Sequence, residues 1–196
     1  MTTIGLVLGS TRPGRRCHLI GEWVAKCAAA RGDGVDYVVL DLADFDLPVL
    51  DEPLPAKWGR YEHDHTRRWA AAVGPCDGFV FITPEYNHAE PGALKNAIDF
   101  LFDEWSHKAA GFVTYGTQGG YRAAESLRLV LAELHVATVR QQVAVNLSTD
   151  FEITDPTQPG IYQPAAHHEQ HLATLLDEVV AWSTALAPVR SKRAIA

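Results

Sequence analysis

Apolar residues in this chain alternate between two spacings. Stretches rich in apolar and β-branched residues at 4–8, 35–40, 77–82, 108–115 and 136–145 read as short strands, the first an apolar run bounded by glycines and suited to burial on both faces. Between them, apolar residues recur three and four positions apart. This spacing predicts amphipathic helices at 14–31 (Leu19, Ile20, Trp23, Val24, Cys27), 61–73, 92–102 (Leu94, Ala97, Ile98, Leu101), 121–134 (Leu127, Val130, Leu131, Leu134) and roughly 166–186. The first of these helices stops at Gly32 and Gly34. Prolines 48, 53 and 55 make the stretch after the second strand a loop, and Pro156, Pro159 and Pro164 do the same before the last helix. Trp23, Trp69 and Trp182 are expected in the core, and the basic tail after residue 186 is expected to fray.

Five strands interleaved with helices of crossover length imply an α/β fold. The sheet should be parallel, with helices on both faces and right-handed connections. The expected arrangement is a flavodoxin-like doubly wound sheet of order 2-1-3-4-5, because the three loops richest in binding chemistry follow strands one, three and four. In that topology the first and third strands flank the switch point, where ligands bind at the carboxyl ends.

Composition narrows the picture. With 196 residues, 47% apolar and 21% charged, the whole chain is expected to form a single domain, 1–196. A formal charge of −7 and the lack of any long basic run argue against nucleic acid. Three cysteines, Cys17, Cys27 and Cys76, have no C-x-x-C spacing, so neither a disulfide framework nor a zinc site is suggested and a reducing cytoplasm fits. No unbroken apolar run approaches 18 residues, and the apolar start precedes its arginines, the reverse of a secretory signal; no membrane association is expected.

The candidate chemistry gathers in three loops. In Gly9-Ser10-Thr11-Arg12-Pro13-Gly14-Arg15-Arg16, hydroxyl donors, a guanidinium fork and the N-terminus of the following helix suit an anion such as phosphate. The glycine spacing also matches a Walker A loop, but Arg15 and Arg16 stand where Lys and Ser/Thr belong, leaving no hydroxyl for magnesium. His63 and His65, and His167, His168 and His171, are read as surface histidines, since no further ligand completes either set.

Taken together, that first loop, the segment Thr83-Pro84-Glu85-Tyr86-Asn87 with Pro91-Gly92-Ala93-Leu94-Lys95-Asn96-Ala97-Ile98-Asp99, and Gly116-Thr117-Gln118-Gly119-Gly120 resemble the NADPH-dependent FMN reductase family, which includes quinone, chromate and azo-dye reductases. The resemblance spans about residues 3–145. It implies bound FMN, NADPH or NADH as donor, ping-pong hydride transfer to quinones, azo compounds, metal oxyanions or free flavin, and a homodimer or homotetramer. On this reading Ser10, Thr11, Arg12 and Arg16 hold the phosphate, and Pro84, Glu85, Tyr86 and Asn87 flank the ring. Gly116, Thr117, Gln118, Gly119 and Gly120 bring backbone N–H groups of the next helix to the pyrimidine edge. No catalytic acid, base or metal is implied, since the flavin does the chemistry. Trp105 is open between a subunit interface and a roof over the flavin. Arg15, Arg16, Lys57, Arg60 and Arg122 are all open as contacts to a 2′-phosphate. The alternative to an enzyme is a non-enzymatic FMN electron carrier or redox-sensing interaction protein.

Overall fold

The structure, a computed structural model, describes residues 1–193, with side chains through Ser191. Five parallel strands, β1 (Thr3–Leu8), β2 (Asp36–Asp41), β3 (Gly78–Pro84), β4 (Ala109–Gly116) and β5 (Ala137–Asn146), form one sheet in the order β2-β1-β3-β4-β5. This is the doubly wound, flavodoxin-like arrangement expected. Helices α1 (Cys17–Ala29) and α5 (Ala166–Arg193) cover one face; α2 (Asp64–Val73), α3 (Gly92–Asp99) and α4 (Tyr121–Glu133) cover the other. Every residue of β3 and β4 is buried, whereas the edge strand β2 leaves Val38 and Val39 exposed.

Strand alternation builds two cores. Phe79, Phe81 and Phe112 point to the α2–α4 face, where they meet Trp69 and Trp105; Val80, Ile82 and Val113 point to the α1/α5 face, against Ile20, Val24, Leu172 and Leu175. Both buried indoles satisfy their N–H on the carboxyl end of α3, Trp69 on Ala97 O at 2.8 Å and Trp105 on Ile98 O at 3.1 Å. Trp105 is therefore core, neither interface nor roof. Trp182 is the reverse case, 48% exposed. Its place in the inward stripe of α5 is taken by Ser183, because a side chain grown from Gly78 would stand 2.2 Å from the Ser183 Oγ and the sheet leaves no room there for an indole.

Helix α2 starts at Asp64 rather than at 61 and α3 ends at Asp99 rather than at 102, and three further differences from the sequence reading have local reasons. The first helix begins at Cys17 and not near residue 14, since Gly14 takes φ +67° and Arg15 N closes a turn on Arg12 O. A short hairpin, β6 (Phe151–Glu152) with β7 (Ile161–Tyr162), occupies the turn-rich stretch; two-residue strands carry no readable period. The tail does not fray after residue 186: α5 continues through Pro188 to Arg193, and Arg190 reaches Asp77 at 2.7 Å. Residues 194–196 of that tail lie outside the described residues.

α5 contains an 18-residue window of mean hydropathy 1.3, long and apolar enough to cross a bilayer by composition alone. Its Leu172, Leu175, Leu176 and Val179 are buried in the α1/α5 core, so one stripe of the helix is packed on the sheet while Trp182 and Val189 stay exposed. His168, at its start, is also buried rather than superficial, 3.7 Å from Asp150, and burial holds the imidazole below its ordinary pKa against the pull of that carboxylate. His167 and His171, its neighbours, push the same way as burial. A depressed histidine favours the fold in its neutral form, so its contribution is complete above about pH 6.5 and is lost as pH falls below that value. The urea midpoint is expected to drop between pH 7.5 and 5, and His168→Gln to flatten that drop.

Candidate functional site

The carboxyl ends of β1, β3 and β4 deliver the three loops to one rim. Loop one leaves β1 at Gly9, whose N–H bonds Ile82 O at 2.9 Å; a side chain there would meet Leu94 of α3 at 2.8 Å. Ser10 is fully buried and shares a 3.1 Å hydroxyl–hydroxyl hydrogen bond with Tyr86, which joins loop one to loop three. Cys17 Sγ donates to Ser10 O at 3.5 Å, and burial pushes both this thiol and the neighbouring Tyr115 phenol up. At the pH of the cell Cys17 stays protonated, a packing residue and not a nucleophile.

The three arginines divide. Arg15 forks onto Asp41, at the end of β2, with contacts of 2.5 and 2.6 Å, and adds Ser10 O at 2.8 Å. Its planar fork is consumed inside the protein, which removes it from the anion-binding set and turns it into the brace of the loop. Arg16 donates through Nη2 to Gln158 O at 3.1 Å, while its Nε is buried with no partner among the described residues. The Arg12 side chain is exposed and makes no hydrogen bond or ion pair among the described residues; only its backbone N–H contacts Ser10 Oγ, at 3.4 Å. One fixed donor without an acceptor and one uncommitted guanidinium thus stand together where α1 begins.

Loop three is a tight two-residue turn. Tyr86 and Ala89 exchange backbone bonds of 2.8 and 3.2 Å around Asn87 (φ 51°) and His88 (φ 79°), a left-handed pair that Asn tolerates well. The helix that follows has separate tasks for its motif residues. Lys95 pairs with Asp99 at 2.7 Å, and Asn96 pins the proline-rich loop by bonding Pro48 O at 2.7 Å and Leu50 N at 2.9 Å.

The loop after β4 corrects one expectation. The N–H of Arg122, in the first turn of α4, is taken by Glu85 Oε2 at 3.1 Å, with the Arg122 guanidinium on Oε1 at 3.0 Å. Gly119 N–H closes on Gly116 O at 3.2 Å. Glu85 is therefore a cap for α4, and those two donors are not held out for a ligand. The double glycine has a conformational reason: both take φ above +70°, and a Cβ on Gly120 would stand 2.9 Å from Thr114 Cβ and from the Tyr115 backbone. Gly120→Ala is expected to cost about 2 kcal/mol or more through left-handed strain and overlap, read as a lower urea midpoint.

The largest opening between these loops is a cleft of about 420 Å³, inside the range of small-molecule sites. Of the residues singled out in the sequence, the arginine loop from Arg12 to Arg16, with Pro84, Glu85, Tyr86 and Gly116, lines it. Ser10 lies beneath, bonded to Tyr86, and Thr11 turns to a separate hollow of about 290 Å³ with Leu47, Ala93 and Asn96. Asn87, Thr117, Gln118, Gly119 and Gly120 stand outside the lining. Sequence reasoning missed Tyr115, Leu147, Pro156 and Thr157, which complete the wall. Tyr115 was legible as the last residue of a strand that ends at the rim; the other three had no signal. Among the described residues no group of three or more His, Cys, Asp or Glu is disposed to hold a metal, and His63 and His65 stack 5.2 Å apart beside Asp51.

Comparison with known proteins bears on what this cleft takes. Residues 2–150 match the family described as NADPH-dependent FMN reductase. The chain is 38% identical over 159 residues to an NAD(P)H-dependent FMN reductase of a Nectria species, covering 76% of this chain and 79% of the relative. It is 36% identical over 172 residues to an NAD(P)H-dependent FMN reductase of Schizosaccharomyces pombe, covering 87% and 83%. Among solved structures it is similar to the Paracoccus denitrificans flavoenzyme NAD(P)H:(acceptor) oxidoreductase, with a TM-score of 0.66, 20% identity, and 94% and 98% of the two chains covered.

Proposed function

The chain belongs to the NADPH-dependent FMN reductase family, and from that premise we propose that its cleft holds FMN with the phosphate at residues 12–16 and the ring toward Pro84–Tyr86. The family places it among oxidoreductases that use FMN and NAD(P)H, in preference to the carrier alternative. The observation that carries the phosphate assignment is the uncommitted Arg12 guanidinium beside Arg16, whose only hydrogen bond among the described residues is through Nη2, both on the wall of a ligand-sized cleft. A phosphate dianion would take charge-assisted hydrogen bonds from these two guanidinium groups. Bound FMN supplies hydride acceptance from a nicotinamide and onward electron transfer, chemistry that no side chain here offers. The protein's own part is to hold and orient: Arg12 and Arg16 anchor one end, the Ser10–Tyr86 bond fixes the loop along the other, and Glu85 locks that loop to α4.

Relatives whose names record quinone and azo reduction support flat small-molecule oxidants as acceptors, with donor and acceptor using the cleft mouth in turn. We take the whole chain as one domain, acting as a homodimer or homotetramer in the cytoplasm; three free cysteines are consistent with a reducing compartment. The test is direct. Purified protein is expected to be yellow or to take up FMN on titration, and NADPH or NADH to bleach the bound flavin until a quinone restores it. Bleaching by dithionite alone would return the protein to the carrier class.

A further inference from the structure

The stretch between β5 and α5 lies beyond residue 150, where the family match ends, yet it forms one wall of the cleft. Its base is fixed. The Asp150 carboxylate accepts from Asn146 N at 2.7 Å, Gln163 N donates to Asp150 O at 2.8 Å, and Tyr162 packs on Phe151 at 5.0 Å and edge-on to Trp23 of α1 at 5.6 Å. Its tip is braced by its own residues. Asp155 Oδ1 accepts from both the backbone N–H (2.8 Å) and the hydroxyl (2.7 Å) of Thr157, and Gln158 N donates to Asp155 O at 3.1 Å.

This braced tip rests on the arginine loop at two points. Gln158 O accepts from Arg16 Nη2, leaving the buried Nε as a donor held in place without an acceptor. Thr157 O occupies the space beside Gly14: a Cβ there would lie 2.2 Å from that oxygen, so the two backbones meet only because residue 14 has no side chain. Pro156 and Thr157 then close the cleft along the side formed by Arg12, Gly14 and Arg16.

We propose that the β6–β7 hairpin is a retaining strap for the phosphate end of FMN: it fixes Arg16 for the phosphate and blocks the way out until its tip lifts from Gly14. The proposal rests on the assignment of this cleft to FMN. It makes the flavin a resident group kept through turnover, and it makes the phosphate, rather than the ring, the part the strap detects.

Two full-length variants test it, one with Asp155–Pro159 replaced by two glycines and one with Gly14→Ala, which forces the tip outward from the other side. FMN release, followed as recovery of free-flavin fluorescence on dilution, is expected to speed up at least tenfold in each. Affinity for riboflavin, which has the same ring and no phosphate, is expected to stay within threefold of the parent. Should the shortened chain fail to fold, Asp155→Ala, which unbraces the tip without touching residues 12–16, decides in its place. Unchanged FMN release, or equal losses for both flavins, would overturn the strap. A parent protein that takes up no FMN at all would instead overturn the cofactor assignment beneath it.

Discussion

Arg12→Ala is expected to lower FMN affinity by about 10- to 150-fold, the loss of one charge-assisted hydrogen bond worth about 1.5–3 kcal/mol. The melting temperature of the flavin-free protein should stay where it is, because the exposed Arg12 side chain makes no hydrogen bond or ion pair among the described residues for the substitution to break. Arg15→Ala should do the opposite. That side chain holds Asp41 and the Ser10 carbonyl, so its loss should lower stability, and affinity should fall only as a consequence. Fluorescence titration with FMN alongside urea melts of the flavin-free proteins separates the two. If Arg12→Ala left FMN affinity untouched, the phosphate would have to lie elsewhere than residues 12–16.

That contrast marks how far the sequence could be read. The strand order was legible because β1, β3 and β4 are stretches rich in apolar residues ending in loops of special composition, and burial on both faces leaves few alternatives. The presence of three arginines was equally plain. Their division was not, since the Arg15–Asp41 pair joins residues 26 positions apart and depends on the register that sets Leu8 beside Asp41. Glu85 capping α4 is hidden for the same reason, a side chain on one loop answering a helix end 37 residues on. The strap was unreadable because its strands are too short to show alternation. Tryptophans are a simpler case: size alone put Trp23, Trp69 and Trp182 in the core, while the direction of the α5 stripe decides that Trp182 faces water.

Trp105→Ala should be the most destabilising single change, by about 3–5 kcal/mol, from the cavity it leaves in a closed aromatic cluster. Trp105 has no exposed surface and packs against Phe79 at 4.8 Å, Trp69 at 5.9 Å and Phe81 at 5.9 Å. A total stability of about 5–15 kcal/mol for a domain of ordinary size makes that a large fraction. The measurement is the urea midpoint, and the folded fraction should bind FMN as the parent does, because the cluster lies on the sheet face opposite α1 and the cleft lining does not include it. A variant of full stability that had lost its flavin would restore Trp105 to the roof of the site.

The fork of Arg15 on Asp41 sets an order of assembly. Asp41 ends an edge strand that docks only on β1, and the same carboxylate also receives the N–H of Ala43, so its position is settled by the crossover that precedes it. Until that strand has come home beside its neighbour, the arginine loop has no brace. A growing chain released up to residue 35 would already contain the whole of the first loop and α1, yet flavin capture is expected to wait for the edge of the sheet, which would make the cofactor a late guest and not the template around which the fold condenses.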